Sequence, residues 1–500
     1  MEDLRRHVKP SVEHLVLLGV IVLAICYRIG LGSWTTDDAY ITFRYANHIA
    51  QGMGFIYNIG ERILGTTTPL YTLLLAGAKS AGADLINTSL AINIAADVLT
   101  LVLVYQIGKQ LQRPVLGLLC GLFIAISSQY AYYTVSGMET PLYVTTMVAL
   151  FWATLKQSWR LAAILSALLI LIRIDGVLFV GVMLASAVLA RRQIGWQPML
   201  IFAGVLTPWV LFATFYFGSP IPQSVFAKYR HGAANDRRMS VITFAAYFTN
   251  TADADSGADK NLVFAGLALV GTAVLTKKSG YRALIPYLAW AWLYTAIFIY
   301  FNVFTYYWWY FIPLYPIYFI CLIVGGLTLL ESEPIARAWY QVTARWFPRT
   351  RQWLQPAVLL LLLGVAWLLL PLRISSHRNA LARFTDTREG AYRLIAEYIT
   401  QHSAPTTTIG AFEIGTLGYY SERRILDAAG LVMPNPVSES HLEALEELQP
   451  DWWVSYREWM DDTLGDPWFE ATYVEVTAPI HHSPAVVVYQ KVTTLAQILP

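Results

Sequence analysis

Two adjacent carboxylates, Asp37 and Asp38, follow the first long apolar run, in the stretch TTDDAYITFRYANHIAQGMGFIYNIGERILGTTTPL. Neighbouring like charges repel and are costly to desolvate, so acids at the mouth of an apolar segment call for a positive or proton-donating partner. One reading is structural: with Thr35 and Thr36 beside them, the pair suits a helix start. The other is chemical. One carboxylate would act as general base toward a sugar hydroxyl, while its neighbour raises its pKa or helps hold a divalent metal ion near a phosphate. Acids this close titrate as a coupled unit, and the base is either Asp37 or Asp38.

Further charged and aromatic residues extend the set. Arg44, about two helical turns on, either salt-bridges to the acid pair or binds a phosphate through two N–H groups. Glu139 in SGMETP either caps the next helix or contacts substrate. Arg173 and Asp175 interrupt an apolar stretch, where opposite charges are expensive unless they pair or face a polar cavity. The segment GSPIPQSVFAKYR, residues 218–230, carries prolines that predict an extended course, and Lys228 and Arg230 supply cations suited to a lipid phosphate. The aromatic run YYWWYFIPLYPIYF from Tyr306, with Trp309, reads as an interfacial belt or as a face for stacking sugars. Glycines and a proline at turn spacing in GMGFIYNIGERILGTTTP predict an ordered loop folded over a site, without the strand-to-helix context of a nucleotide loop.

The elements that must carry these residues are membrane helices. Of 500 residues 56% are hydrophobic and 14% charged, a polytopic membrane composition. Cys26, Cys120 and Cys321 all lie in apolar segments, so neither a disulfide framework nor a thiolate metal site is indicated. A net charge of +2 gives no nucleic-acid footprint. Arg5, Arg6 and Lys9 precede an apolar run without a small-residue cleavage site, which reads as a retained signal anchor.

A spanning helix needs about 20 apolar residues. Candidate spans are 12–32, 86–108, 114–134, 139–156, 160–174, 176–190, 196–217, 261–276, 282–302, 304–328 and 356–372, about eleven in all. With the N-terminus cytoplasmic, alternate connections hold Lys109 and Arg113, Lys156 and Arg160, Arg191 and Arg192, then Lys277, Lys278 and Arg282. A last one holds Arg337, Arg345, Arg349 and Arg351, so all of these fall inside. Residues 67–82 are then a helix lying on, or dipping into, the outer surface. The acid pair, SGMET, RIDG and the loop 218–260 converge on the outer face.

After residue 372 the composition turns mixed. A helix is expected over Arg388–His402 and another near His441–Leu448. Strands are expected at Thr406–Phe412, Arg424–Ala428, Asp451–Tyr456, Thr472–Val476 and Ala485–Gln490. This predicts a small α/β domain on the outer face.

The block DDAYITFRYANHIAQGMGFIYNIGERILGTTTPLYTLLLA resembles the first outer loop of the GT-C glycosyltransferases, in the branch of the mycobacterial terminal arabinofuranosyltransferases. SGMETPLY, Arg173–Gly176, PIPQSVFAK from Pro220 and EIGTLGYYSERRILDAAGL from Glu413 are similar to the same group. Thr68 and Gln223 stand where that group more often has Asn, and Ile174 where it often has Pro.

The resemblance implies a polytopic α-helical membrane protein of GT-C type. Residues 1–372 would form the transmembrane glycosyltransferase domain, with outer loops 33–85 and 218–260, and residues 373–500 a soluble extracytoplasmic α/β domain. It implies transfer of a sugar, arabinofuranose among the candidates, from a polyprenyl-phosphate donor to a cell-envelope glycan or lipid acceptor on the outer face of the plasma membrane. Asp37 or Asp38 would be the base. Arg44, Arg173, Lys228 and Arg230 would bind the donor phosphate, and Tyr40, Glu61, Glu139, Asp175, Gln223, Tyr306 and Trp309 would contact substrate. A divalent metal ion at Asp37 and Asp38 is left open, and no other cofactor is indicated. The rival reading is a transporter or flippase of lipid-linked sugars, but no internal repeat of the kind transporters carry is found.

Overall fold

The computed structural model describes residues 10–234, 237–249, 259–304, 307–330, 351–387, 389–433, 440–476 and 485–492. Tyr306, Arg337, Arg345, Arg349 and Arg388 lie outside these residues, as do 250–258 of the second long loop.

The helical part runs α1 (Pro10–Leu31), α2 (Asp37–Ala50), α3 (Pro69–Ser80), α4 (Leu85–Gln110), α5 (Pro114–Ile126), α6 (Ser128–Thr134), α7 (Thr140–Leu155), α8 (Trp159–Ile172) and α9 (Gly176–Leu189). It continues with α10 (Trp196–Phe217), α11 (Gln223–Ala234), α12 (Arg237–Thr249), α13 (Asp259–Lys277), α14 (Ile285–Tyr300), α15 (Tyr315–Leu330) and α16 (Arg351–Thr387). Single 3-10 segments, Ser279–Leu284 and Trp308–Leu314, lead into α14 and α15.

Among the described residues six helices are long and apolar enough to cross a membrane: Val12–Leu31, Leu85–Gln110, Trp196–Phe217, Ser279–Tyr300, Trp308–Leu330 and Ala357–Ala380. The pair α5–α6 passes the same test together, bent by 67°. The remaining expected spans are the shorter apolar helices α7, α8, α9 and Val263–Lys277. Residues 67–82 form the short helix α3 that the sequence predicted. The extended course predicted for 218–230 is corrected: Pro220 and Pro222 precede the helix start, and the chain is helical from Gln223 onward, consistent with the tolerance of a helix for proline at its entrance.

The bend between α5 and α6 has a visible cause. Ser127 caps α6 by accepting from the Tyr130 N–H (3.3 Å), which ends α5 and frees its last carbonyls. Arg28 of α1 donates to the carbonyls of Ala125 and Ile124, the latter at 3.2 Å. Arg373 of α16 donates to that of Ile126 (2.5 Å). Open carbonyls in an apolar medium cost several kcal/mol each, and the arginines remove that cost. Arg28 in turn pairs with the buried Asp97 of α4 at 2.7 Å. Helices α13 and α15 cross at small residues: a Cβ on Gly325 would overlap the Leu267 carbonyl, and one on Gly271 the Cys321 carbonyl.

The tail holds α17 (Glu389–His402), β1 (Thr408–Ala411), α18 (Gly415–Ser421), β2 (Arg424–Asp427), α19 (His441–Leu448), β3 (Trp452–Tyr456), α20 (Pro467–Thr472), β4 (Tyr473–Glu475) and β5 (Val486–Lys491). The sheet order is β2-β1-β3-β5-β4, with β2-β1-β3 parallel and β3-β5-β4 antiparallel. Each strand and both helices expected from the sequence are present, which follows from their short β-branched runs and from an apolar stripe at helical spacing on α17.

One apolar cluster joins the tail to the connection after α1. Tyr45, Phe55, Tyr57 and Leu64 pack with Ile395, Ile399, Ile409, Ile414 and Leu417. Residues 33–68 are therefore the layer between bundle and tail.

Candidate functional site

The acid pair opens α2, and neighbouring segments fix that helix start. Backbone N–H groups of Trp34 and Thr36 donate to the carbonyls of Val135 and Ser136 at 3.1 and 3.0 Å. Gly137 adopts φ 80°, a left-handed conformation that lets the SGMET turn close against Thr35, Ala39 and Phe43. Tyr71 braces the turn by donating to the Gly137 carbonyl (3.0 Å).

The two acids then part company. Both Asp37 oxygens accept from the tail: Oδ2 from the Gly415 N–H (2.8 Å) and Oδ1 from the Thr416 N–H (2.7 Å). Asp37 thus caps the N-terminus of α18. Asp38, half-buried, instead faces the Lys228 ammonium electrostatically.

Lys228 lies on α11 against the segment that enters α15. Its Nζ donates to the Tyr310 hydroxyl (3.4 Å) and sits 4.6 Å from the Tyr307 ring centre and 5.5 Å from that of Trp309. Burial works against its charge, but Tyr310, Asp38 and Tyr307 outweigh it and hold its pKa above the usual lysine value.

Behind Tyr310 stands Arg173, buried to 2% exposure. Its Nε and Nη2 donate to the two oxygens of Asp175 at 3.0 and 2.8 Å, and Glu139 lies 3.8 Å away. The guanidinium is sandwiched between the rings of Tyr143 (4.5 Å) and Tyr310 (4.4 Å). Its Nη1 is buried, and among the described residues no acceptor meets it. Tyr294 links the parts, donating to the Tyr310 carbonyl at 3.1 Å and lying 3.5 Å from Asp175 Oδ2. The group therefore sets three acids, Asp38, Glu139 and Asp175, among two cations, Lys228 and Arg173. Lys228 is the cation of the two that is not held by a bidentate carboxylate, so a phosphate would be met there.

The other expected residues fall elsewhere. Arg44 is buried at the contact between first connection and tail, with Nε donating to the Tyr57 carbonyl (2.8 Å) and Nη2 to the Arg423 carbonyl (2.8 Å). Its guanidinium lies over the Tyr57 ring at 4.4 Å. These carbonyls take Nε and Nη2, while Nη1 is buried without an acceptor among the described residues. Glu61 binds Arg424 of β2 at 2.7 Å, also joining loop to tail. Gln223 is tied through its backbone N–H to the Leu64 carbonyl (2.8 Å). Arg230 is exposed, and two residues along a helix from Lys228 it faces another way. Tyr40 packs against Tyr419 and Tyr420 of α18, its hydroxyl 3.2 Å from that of Tyr420. Trp309 packs against the apolar cluster that contains Tyr40 and Phe43, and its ring lies 5.5 Å from Lys228 Nζ.

Tyr143, Tyr294, Tyr307 and Tyr310 were not anticipated. The aromatic run announced the last two as a class, but no spacing rule distinguishes the ring under Lys228 from those facing lipid. For a metal ion the acid pair is a poor fit. Both Asp37 oxygens accept N–H groups, Lys228 opposes a dication at Asp38, and among the described residues no three His, Cys, Asp or Glu are placed to hold one ion together.

Residues 380–492 match the model of a domain of unknown function, DUF8728. The chain is 26% identical over 260 residues to the terminal β-(1→2)-arabinofuranosyltransferase of Mycobacterium tuberculosis, a match covering 47% of this chain and 41% of that protein. The alignment thus takes in less than half the length of that relative. In structure, ArnT from Cupriavidus metallidurans bound to undecaprenyl phosphate superimposes with TM-score 0.58 at 13% identity, covering 96% of this chain and 99% of that one. The Archaeoglobus fulgidus oligosaccharyltransferase AglB, in complex with an inhibitory peptide and a dolichol-phosphate, gives TM-score 0.54 at 13% identity over 93% and 72% of the two chains. The chain has a multi-pass membrane fold of the GT-C type with a small C-terminal sheet region.

Proposed function

We propose that this protein is an integral membrane glycosyltransferase that moves a sugar from a polyprenyl-phosphate carrier to a cell-envelope acceptor, with Asp38 as general base. The observation that carries the reading is Lys228 among the Tyr307, Trp309 and Tyr310 rings, with the Asp38 charge acting on it and Arg173, whose buried Nη1 meets no acceptor among the described residues, behind Tyr310. Carrier-lipid phosphates in the ArnT and AglB structures support the donor class. The mycobacterial relative supports arabinofuranose as the sugar. The site would lie at the outer face, with the tail outside.

In the reaction, Asp38 accepts the acceptor hydroxyl's proton as that oxygen bonds to the anomeric carbon. The bond from anomeric carbon to phosphate oxygen breaks, and its electron pair leaves on the phosphate. Lys228 neutralises the charge that develops there, and Arg173 adds its charge from behind Tyr310. Tyr307 and Trp309 supply flat faces for the sugar or the isoprenoid beside it. No step requires a metal.

The test incubates purified protein with a panel of polyprenyl-phosphate sugars and an acceptor, with and without chelator, and follows release of polyprenyl phosphate. Release that survives chelation and falls about 10²- to 10⁴-fold in Asp38→Asn is the expected result. Release from none of the donors, with lipid-linked sugar crossing the bilayer of reconstituted vesicles instead, would establish the transporter reading.

A further inference from the structure

Asp37 sits one residue from the proposed base, yet its carboxylate is spent on the tail. Its two oxygens hold the Gly415 and Thr416 N–H groups at 2.8 and 2.7 Å. Position 415 admits only glycine, because a Cβ there would overlap the Asp37 carbonyl. The residues around this contact are also joined across the same boundary. Tyr57 donates from its hydroxyl to the Ile414 carbonyl (2.7 Å). The Asn58 side chain donates to the Ile425 carbonyl (2.9 Å) and accepts from the Ile425 N–H (3.0 Å). Arg44 reaches the Arg423 carbonyl (2.8 Å), and a Cβ on Gly418 would press on Tyr57 and Arg44. The tail therefore grips one end of α2 and the loop after it.

We infer that Asp37 is a positioning residue, a latch through which the docked tail fixes the first turn of α2 and so sets Asp38 against Lys228. The two acids have unlike roles, and the tail is part of the site's framework. The inference rests on the proposed reaction for its catalytic arm only.

The test uses the full-length protein carrying Asp37→Asn, Asp37→Ala, Gly415→Ala or Asp38→Asn. Amide hydrogen exchange across 414–421 reports the latch, and kcat and donor KM report the reaction. Asp37→Ala and Gly415→Ala are expected to speed exchange of the 415 and 416 amides at least tenfold. They should lower kcat about 10- to 100-fold, the loss typical of a misplaced catalytic group, with donor KM little changed. Asp37→Asn keeps an acceptor oxygen for one N–H and should retain kcat within about tenfold, whereas Asp38→Asn loses the 10²- to 10⁴-fold of a removed base with exchange at 414–421 unaltered.

Asp37→Asn as inactive as Asp38→Asn with native exchange would overturn the latch and make Asp37 the base. Gly415→Ala with fast exchange and full activity would equally refute it. If the wild type releases no carrier phosphate from any donor, the reaction assignment fails, while the exchange arm still decides whether Asp37 secures the tail.

Discussion

Replacing Arg44 with methionine separates two ideas about a buried arginine near a proposed phosphate site. Met matches its length but offers no N–H group. In the native protein Arg44 satisfies the carbonyls of Tyr57 and Arg423, both at 2.8 Å. Each carbonyl left buried without a donor costs about 1–3 kcal/mol, so the pair sets a gross loss of about 2–6 kcal/mol. The cation–π contact with Tyr57 at 4.4 Å adds about 1–2 kcal/mol in a desolvated setting. Against this, the mutant no longer buries a charge, and the thioether keeps some packing. A net of about 4 kcal/mol remains, concentrated on the contact between the first connection and the tail. At about 1.4 kcal/mol per tenfold, the ratio of docked to undocked tail falls roughly 10³-fold. Hydrogen exchange by mass spectrometry in detergent should therefore rise steeply across 414–427 while the amides of α4 and α7 keep native protection. Native exchange throughout, with donor KM raised tenfold or more, would refute the reasoning and return Arg44 to the phosphate.

Lys228→Met should lower kcat/KM for the donor about 10²- to 10³-fold, the scale for losing one charge-stabilising donor, and Lys228→Arg should recover part of it; release of carrier phosphate measures both. Gly325→Ala should force α13 and α15 apart at the Leu267 carbonyl and cost about 1–3 kcal/mol or more, read as a lower unfolding midpoint in detergent. His48 is buried in α2 with Nδ1 3.0 Å from the Ile56 carbonyl, and burial chiefly holds its pKa below the ordinary 6.5. The unfolded chain therefore takes up a proton first as pH falls, so this residue's contribution is whole above about pH 6.5 and declines below it. The loss of thermal stability between pH 7 and 5 should be smaller in His48→Gln than in the wild type.

Much of the architecture could be read from the sequence, and the reasons are local. The helix Glu389–His402 and the strands of the tail show their own periodicities, and Leu85–Gln110 announces itself by length and apolarity. The acid pair stood out as a candidate in the same way. The partners of Asp37 did not, because Gly415 and Thr416 lie 378 and 379 residues away. Arg44 and Glu61 belong with them: their partners, Arg423 and Arg424, lie on the far side of the chain. Pro220 and Pro222 suggested an extended loop because proline stiffness is local, whereas the helix that seats Lys228 starts just beyond them. Asp97 was overlooked although a lone acid inside a predicted span is a signal in itself, and so was its partner Arg28, whose contacts to Ile124 and Ala125 arise only from the bend at Ser127.

That bend bears on how the protein is made. Residues 124–126 leave the ribosome long before residue 373, yet the Ile126 carbonyl finds its donor in Arg373. During synthesis the kinked segment must wait, its last carbonyl served by water or by the insertion machinery, until the final apolar helix arrives and closes against α1. Cutting the gene before that helix would thus strand a half-finished joint in the lipid, and a shortened product would report on quality control as much as on the missing tail.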